Sequence, residues 1–249
     1  MRKLMFFVAL AGFVLAQGVL PGSSFEACAA DKITLASGAG YKKMVTELAQ
    51  AFTAQSGIET EQIYGNMGQT LAQAKNSGLV DCVIGDKRFL DASVVRFAAQ
   101  YEIGQGKLVL AYAKGLEIKD PSDIQRADIT RVAMPDPKKA IYGRAADEYL
   151  RNGGLSEKIA DKLLVVSTVP QVSSYVLSKE VDAGFINLTD AKAIEDKVGG
   201  ILLVDQAYYS PILIVAGALE SAPHADTLKA FAAFLATDRA REIARKHGL

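Results

Sequence analysis

Ile33-Thr-Leu-Ala-Ser-Gly-Ala-Gly-Tyr41 reads as a buried strand that breaks on a glycine-flanked turn and opens directly into a helix. The same order returns at Ile63-Tyr-Gly-Asn-Met-Gly-Gln-Thr70, at Val132-Ala-Met-Pro-Asp-Pro-Lys-Lys-Ala-Ile-Tyr-Gly-Arg144 and at Leu164-Val-Val-Ser-Thr-Val-Pro-Gln-Val172. After the first strand, Met44, Leu48 and Phe52 recur at four-residue spacing, which predicts a helix from about Tyr41 to Ala54 that Gly57 stops. A strand over Glu59–Tyr64, a helix over Gln69–Asn76 and an apolar strand over Val80–Gly85 complete a β-α-β-α-β run. Strands alternating with helices of this length pair in parallel through right-handed crossovers, with helices on both sheet faces. The fold class is α/β.

Two later stretches are long enough to pass between two bodies: Lys107-Leu-Val-Leu-Ala-Tyr-Ala-Lys114, which follows Gly104-Gln-Gly106, and Ser210-Pro-Ile-Leu-Ile-Val-Ala216. If both are crossovers, lobe I comprises residues 31–110 plus 211–249, lobe II comprises 111–210, and two strands form the hinge. Lobe II then holds strands at Ile129–Met134, Leu163–Ser167 and Ala183–Asn187, with helices over Gly143–Arg151 and after Pro170. Pro170 suits a first helical position, where its missing N–H removes no bond. An amphipathic helix over Ala225–Leu235 and a last one capped by Asp238 and ended by Gly248 close the chain.

Arg2 and Lys3, the apolar run Leu4–Ala16 and the small residues Ala27-Cys-Ala-Ala30 read as an export signal over residues 1–30, with a mature start at Asp31. The expected location is therefore periplasmic. Acylation of Cys28 into a lipid anchor is the weaker alternative, because Phe25 and Glu26 suit such processing poorly. Removing Arg2, Lys3 and Glu26 from 28 basic and 28 acidic residues leaves 26 and 27. That balance, with no cluster of Lys or Arg, gives no nucleic-acid surface. Cleavage would leave Cys82 as the single thiol, within Val80-Asp-Cys-Val-Ile84, which reads as a small buried apolar residue.

The chemistry-bearing motifs point to capture of an anion. The only histidines, His224 and His247, lie in the tail, so no imidazole metal site is expected. No G-x-S-x-G, H-E-x-x-H, P-loop or C-x-x-C pattern is present, so neither an enzyme nor a cofactor is expected. Gly38-Ala-Gly40 begins like a dinucleotide fingerprint, but Lys43 stands where the third glycine belongs. Helix N-termini carry unpaired N–H groups and partial positive charge, so several of them converging on one cleft attract a small anion without lysine or metal. The candidates are Ser37, Gly40 and Tyr41 in the first loop, and Asn66, Met67, Gly68 and Gln69 in the second. Tyr142, Gly143 and Arg144, then Val169, then Asn187 are the candidates from lobe II. Two readings stay open here. Gly65–Gln69 also reads as an ordinary capped helix start, and Arg144 either clamps an oxyanion or pairs with Asp147 or Glu148 on its own helix.

The chain resembles the periplasmic molybdate-binding proteins of ABC importers, which have the type II solute-binding fold. The likeness rests on Ile33-Thr-Leu-Ala-Ser-Gly-Ala39, Tyr64-Gly-Asn-Met-Gly-Gln-Thr-Leu-Ala72, Val169-Pro-Gln-Val172, Lys179-Glu-Val-Asp-Ala-Gly-Phe-Ile-Asn187 followed by Thr189-Asp-Ala191, and the ending Arg245-Lys-His-Gly-Leu249. It implies a two-lobed protein, each lobe a mostly parallel sheet flanked by helices, that acts as a monomer and delivers a molybdate- or tungstate-like oxyanion to a membrane permease. In that family serine hydroxyls, backbone amides and a tyrosine hydroxyl hold the ligand, at positions corresponding here to Gly40, Met67, Tyr142 with Gly143, Val169 and Asn187. Gly40 and Met67 bring no hydroxyl and Asn187 stands in place of the tyrosine, so the side-chain donors are altered while the amide positions remain. Ser37, Thr70, Gln69, Asn187 and Arg144 can restore donors. A different small anion or organic acid held by Arg144 and Asn187 is the alternative ligand.

Overall fold

The computed structural model describes residues 31–249; the export-signal reading and Cys28 lie outside the described residues. Strand β1 (Lys32–Gly38) leads through a short 3-10 turn into α1 (Lys42–Ser56), then β2 (Glu59–Gly65), α2 (Met67–Asn76), β3 (Cys82–Asp86), the short α3 (Lys87–Asp91) and β4 (Phe97–Gly106). The four-residue spacing read in α1 is its buried face: Met44, Leu48 and Phe52 are all in the core. Gly57 ends the helix in the left-handed region at φ 75°, where a side chain would be strained. Cys82 is a free buried thiol whose pKa burial pushes up, so it packs as an apolar residue.

The chain then builds a second sheet. It comprises β5 (Leu108–Tyr112), β6 (Val132–Pro135), α4 (Ile141–Asn152), β7 (Leu163–Val166), α5 (Val169–Ser178), β8 (Ala183–Asn187), α6 (Leu188–Lys192) and β9 (Gly200–Leu203). Finally β10 (Ile212–Leu219) returns to the first sheet, and α7 (Ala225–Leu235) and α8 (Asp238–Lys246) cover it. Phe231 and Phe234 of α7 meet Phe52 of α1 at ring-centroid distances of 5.2 and 5.6 Å, which ties the C-terminal helices to the first lobe. Thr237, not Asp238, caps α8, its Oγ accepting from the Ala240 amide at 3.3 Å; Asp238 lies within the first turn.

The two sheets repeat one plan. The first has strand order β2-β1-β3-β10-β4 and the second β7-β6-β8-β5-β9. In each, the first three strands are parallel and the fourth, β10 or β5, runs antiparallel to both of its neighbours, so both sheets are mixed. The two-lobed α/β architecture is present, with Lys107 alone separating β4 from β5 and residues 204–211 joining β9 to β10. The crossing at Lys107 falls between two strands, where the sequence suggested one continuous strand. The polar stretch Gln100-Tyr-Glu102 conceals β4, which sits at a sheet edge and needs no apolar run. The crossings are pinned by the Leu108 amide donating to the Tyr209 hydroxyl (3.1 Å) and the Ser210 amide donating to Glu148 (2.6 Å).

Parallel strands that share a direction also share a carboxyl end, and loops leaving that end form the usual crevice of open α/β sheets. Here the carboxyl ends of β1, β2, β6 and β7 supply the loops that face one another between the lobes.

Candidate functional site

A small cavity, partly open to solvent, lies between those loops. Gly38–Tyr41 and Gly65–Met67 line it from lobe I, and Ala140–Tyr142 with Thr168 and Val169 line it from lobe II. It is a hole of ~3 Å radius, larger than one water and far smaller than a nucleotide.

Three helices begin at this cavity. At α4 the capping residue Ala140 has no side-chain oxygen to offer, and at α5 Thr168 makes no capping bond. The first-turn amides of Ile141 and Tyr142, and that of Val169, have no intrahelical acceptor and belong to residues that line the cavity, so they remain donors to whatever occupies the cleft. At α2 the situation is reversed. Asn66 and Gln69 form a reciprocal capping box, each side chain accepting from the other's amide at 3.0 Å, while the Gly68 amide donates across the cleft to the Lys139 carbonyl at 3.2 Å. Of that turn, Met67 keeps its amide at the cavity, while its side chain is buried in lobe I against Gly85, where a Cβ would come within 2.5 Å of the methionine methyl.

The lobes meet directly around the cavity. Asn66 Nδ2 donates to the Ser167 hydroxyl at 3.0 Å and to its carbonyl at 3.3 Å. Asn187 Nδ2 donates to the Gly40 carbonyl at 3.0 Å. Its Oδ1 is fully buried with no partner and sits where a Cβ on residue 40 would approach to 2.6 Å, so asparagine at 187 requires glycine at 40. The hydroxyls of Tyr41 and Tyr142 meet at 2.5 Å from opposite lobes, over Gly106 at the start of the crossing; a Cβ there would strike the Tyr142 hydroxyl at 2.1 Å. Burial raises both phenol pKa values, and the nearby Asp86 carboxylate adds to the effect, so both keep their protons at neutral pH.

Arg144 is placed elsewhere. It does not line the cavity; its guanidinium binds Glu148 one turn along α4 (2.9 Å) and, across the cleft, Asp86 at the end of β3 (2.9 Å). Of the two readings the sequence left open for Arg144, the structure presents the helix pairing, extended by a lobe I carboxylate. Asp86 reads from sequence as solvated surface. It is instead buried, because β3 ends inside the interlobe contact, and burial raises its pKa although Arg144 pulls it down. Glu148 is half-buried; burial pushes its carboxyl up, but the Ser210 amide and Arg144 outweigh that and hold its pKa below the usual carboxylate value.

The remaining candidates fall into two groups. Gly40, Tyr41, Asn66, Met67, Tyr142 and Val169 all line the cavity. Ser37, Gly68, Gln69, Gly143 and Asn187 stand behind it: the Ser37 hydroxyl turns to the Gly38 carbonyl at 3.4 Å, and Gln69 completes the α2 cap. Sequence reasoning missed Ala140, Ile141 and Thr168. Their side chains carry no recognisable chemistry, and α4 begins two residues before the expected Gly143. Among the described residues no group of three or more His, Cys, Asp or Glu could hold a metal ion, and no helix is long and apolar enough to cross a membrane.

Residues 33–249 match the family model described as bacterial extracellular solute-binding protein. The chain is 26% identical over 225 residues to the molybdate-binding protein ModA of Rhodobacter capsulatus, covering 88% of each chain. It is also 26% identical over 253 residues to the putative ABC transporter substrate-binding lipoprotein YvgL of Bacillus subtilis, covering 98% of this chain and 96% of that one. Among solved structures it superposes on the periplasmic molybdate-binding protein of Azotobacter vinelandii with a TM-score of 0.79 at 21% identity, covering 87% of this chain and 97% of that one.

Proposed function

The chain belongs to the bacterial extracellular solute-binding proteins, and from that premise we propose that it captures one small tetrahedral oxyanion of the molybdate or tungstate class between its lobes. The two crossings at Lys107 and residues 204–211 act as the hinge. The chain works outside the cytoplasm as a monomer and presents its cargo to the permease of an ABC importer. The observation that carries this reading is the small hole of ~3 Å radius bordered by uncapped helix N-termini. A single central atom with its shell of oxygens matches that size. The similarity to molybdate-binding proteins of other bacteria supports the same ligand class.

Neutral amides stabilise an anion by aligned dipoles in a water-poor site, where each unmet polar demand would cost about 1 to 3 kcal/mol. Discrimination among tetrahedral dianions then depends on the radius of the hole and the number of donors. The organic-acid alternative needs Arg144 as a clamp, and two carboxylates already hold that guanidinium outside the cavity.

Thermal melts with molybdate, tungstate, sulfate, phosphate and small carboxylates test the reading. A true ligand at one hundred times its dissociation constant adds about 2.7 kcal/mol to stability. Stabilisation by carboxylates alone, or by none of the panel, overturns it.

A further inference from the structure

The two phenols at the cavity contain one more hydrogen-bond donor than the protein uses. Tyr41 and Tyr142 each carry one hydroxyl proton. Their mutual contact at 2.5 Å uses one of the two, and neither hydroxyl has another hydrogen-bond partner among the described residues. The side chains are 1% and 2% exposed, so bulk water is not the second acceptor. The carboxylate that acts on both phenols, Asp86, accepts from the Arg144 guanidinium (2.9 Å) and the Arg88 amide (3.3 Å) and makes no hydrogen bond to either hydroxyl. A buried hydroxyl proton without an acceptor is costly, and both tyrosines border the space the anion would fill.

We propose that the Tyr41–Tyr142 pair is the hydroxyl donor of this binding site: one phenol donates to the other, and the second proton is directed to the bound oxyanion. This rests on the oxyanion reading above and adds to it a specificity-determining pair, one residue from each lobe. The donor forms only when the lobes close, because each phenol orients the other. Amides alone fix the dipoles around the hole; the phenol pair adds a donor whose angle can follow the ligand's oxygens. A neutral phenol held protonated also rejects ligands that offer only apolar surface.

Isothermal titration of molybdate into the wild type, Tyr41→Phe, Tyr142→Phe and the double variant separates this role from that of a simple latch. Phenylalanine preserves the ring packing and removes only the hydroxyl. Either single variant leaves one phenol whose whole proton is free for the anion, so each should weaken binding by less than about tenfold, and the double variant by at least a further ~10-fold. A latch predicts the opposite pattern: either single change breaks the phenol contact, shows the full loss, and the double change adds nothing. That pattern, or a double variant that binds like the wild type, overturns the proposal while leaving oxyanion capture intact. A second readout needs no variant. Molybdate should perturb the phenol absorbance of the wild-type protein, and binding without any such change also overturns it. Failure of the wild type to bind any oxyanion removes the oxyanion reading itself, and this proposal with it.

Discussion

Helix α2 in lobe I and helices α4 and α5 in lobe II start at the same cavity but treat their first turns in opposite ways. In α2 the capping box engages Gln69 and Asn66, and Gly68 reaches across to a lobe II carbonyl, so this end is built to close the cleft. In α4 and α5 the capping positions are Ala140 and an unengaged Thr168, so these ends are built to attract negative charge. One lobe supplies the electrostatic invitation and the other supplies the lid. An uncapped helix forgoes about 1 kcal/mol of stability, a sacrifice that makes sense when a ligand provides the missing acceptor.

The largest expected effect tests whether a guanidinium, rather than amides, carries lobe II's side of that contrast. Arg144→Ala leaves Asp86, 1% exposed as a side chain, without its partner, and should destabilise the protein by about 3 to 5 kcal/mol. Chemical denaturation measures this. Pairing Arg144→Met with Asp86→Asn should recover much of the loss, and the double variant should bind oxyanion within a few-fold of wild type. A collapse of affinity in that stable double variant would show that charge, not dipoles, holds the ligand. The pH dependence has a definite sign. Burial raises the Asp86 pKa in the folded state, so its ionisation opposes folding, and this penalty grows as pH rises from the unfolded value through the folded one. Losing Arg144 raises that pKa further. The stability gap between Arg144→Ala and wild type should therefore shrink on acidification and widen towards neutrality.

Next in size is Ala140→Asp, which gives α4 the cap it lacks. A carboxylate there accepts from the first-turn amides and places a negative charge at the cavity wall. Oxyanion affinity should fall at least ~100-fold, while the helix gains the ~1 kcal/mol of an ordinary cap. Opposite signs for binding and stability are the signature. Equal affinity in the variant would break the assignment of α4 as the attracting end. Removing the existing cap of α2 should do the reverse. Asn66→Ala deletes the capping oxygen and two contacts to Ser167, so stability should drop by about 1 to 2 kcal/mol, with a smaller change in affinity than Ala140→Asp produces.

The strands and the helices with apolar stripes were legible in the sequence because burial imposes a period: Met44, Leu48 and Phe52 declare α1, and Ala183–Asn187 matches β8 residue for residue. Edge strand β4 was not, since an edge needs only half of its backbone paired and tolerates Gln100 and Glu102. The site was legible to the extent that glycine and proline mark where helices start, which placed Gly40, Met67, Tyr142 and Val169 together. Pairwise consequences were hidden. Nothing in the local spelling of Asp86 or Arg144 announces that they meet across 58 residues, and Ala140 is informative only for the cap it fails to provide.

The smallest predicted effect concerns a pair that looks like two separate losses of hydroxyl chemistry and is one coupled change. Asn187 gains a hydrogen bond to the Gly40 carbonyl but buries an Oδ1 that nothing satisfies, so its net contribution to closing the lobes should be under ~1 kcal/mol. Asn187→Ala should therefore melt close to wild type. Gly40→Ser alone should be costly, because its Cβ would lie 2.6 Å from that oxygen. In the Asn187→Ala background the obstacle is gone, and the new hydroxyl stands at the cavity. A double-mutant cycle should show a favourable coupling on the order of 1 to 3 kcal/mol between positions 40 and 187, with binding improved over Asn187→Ala alone. Additive effects would mean that glycine at 40 is kept for a backbone reason, and that lobe I's side of the cavity never had room for a hydroxyl.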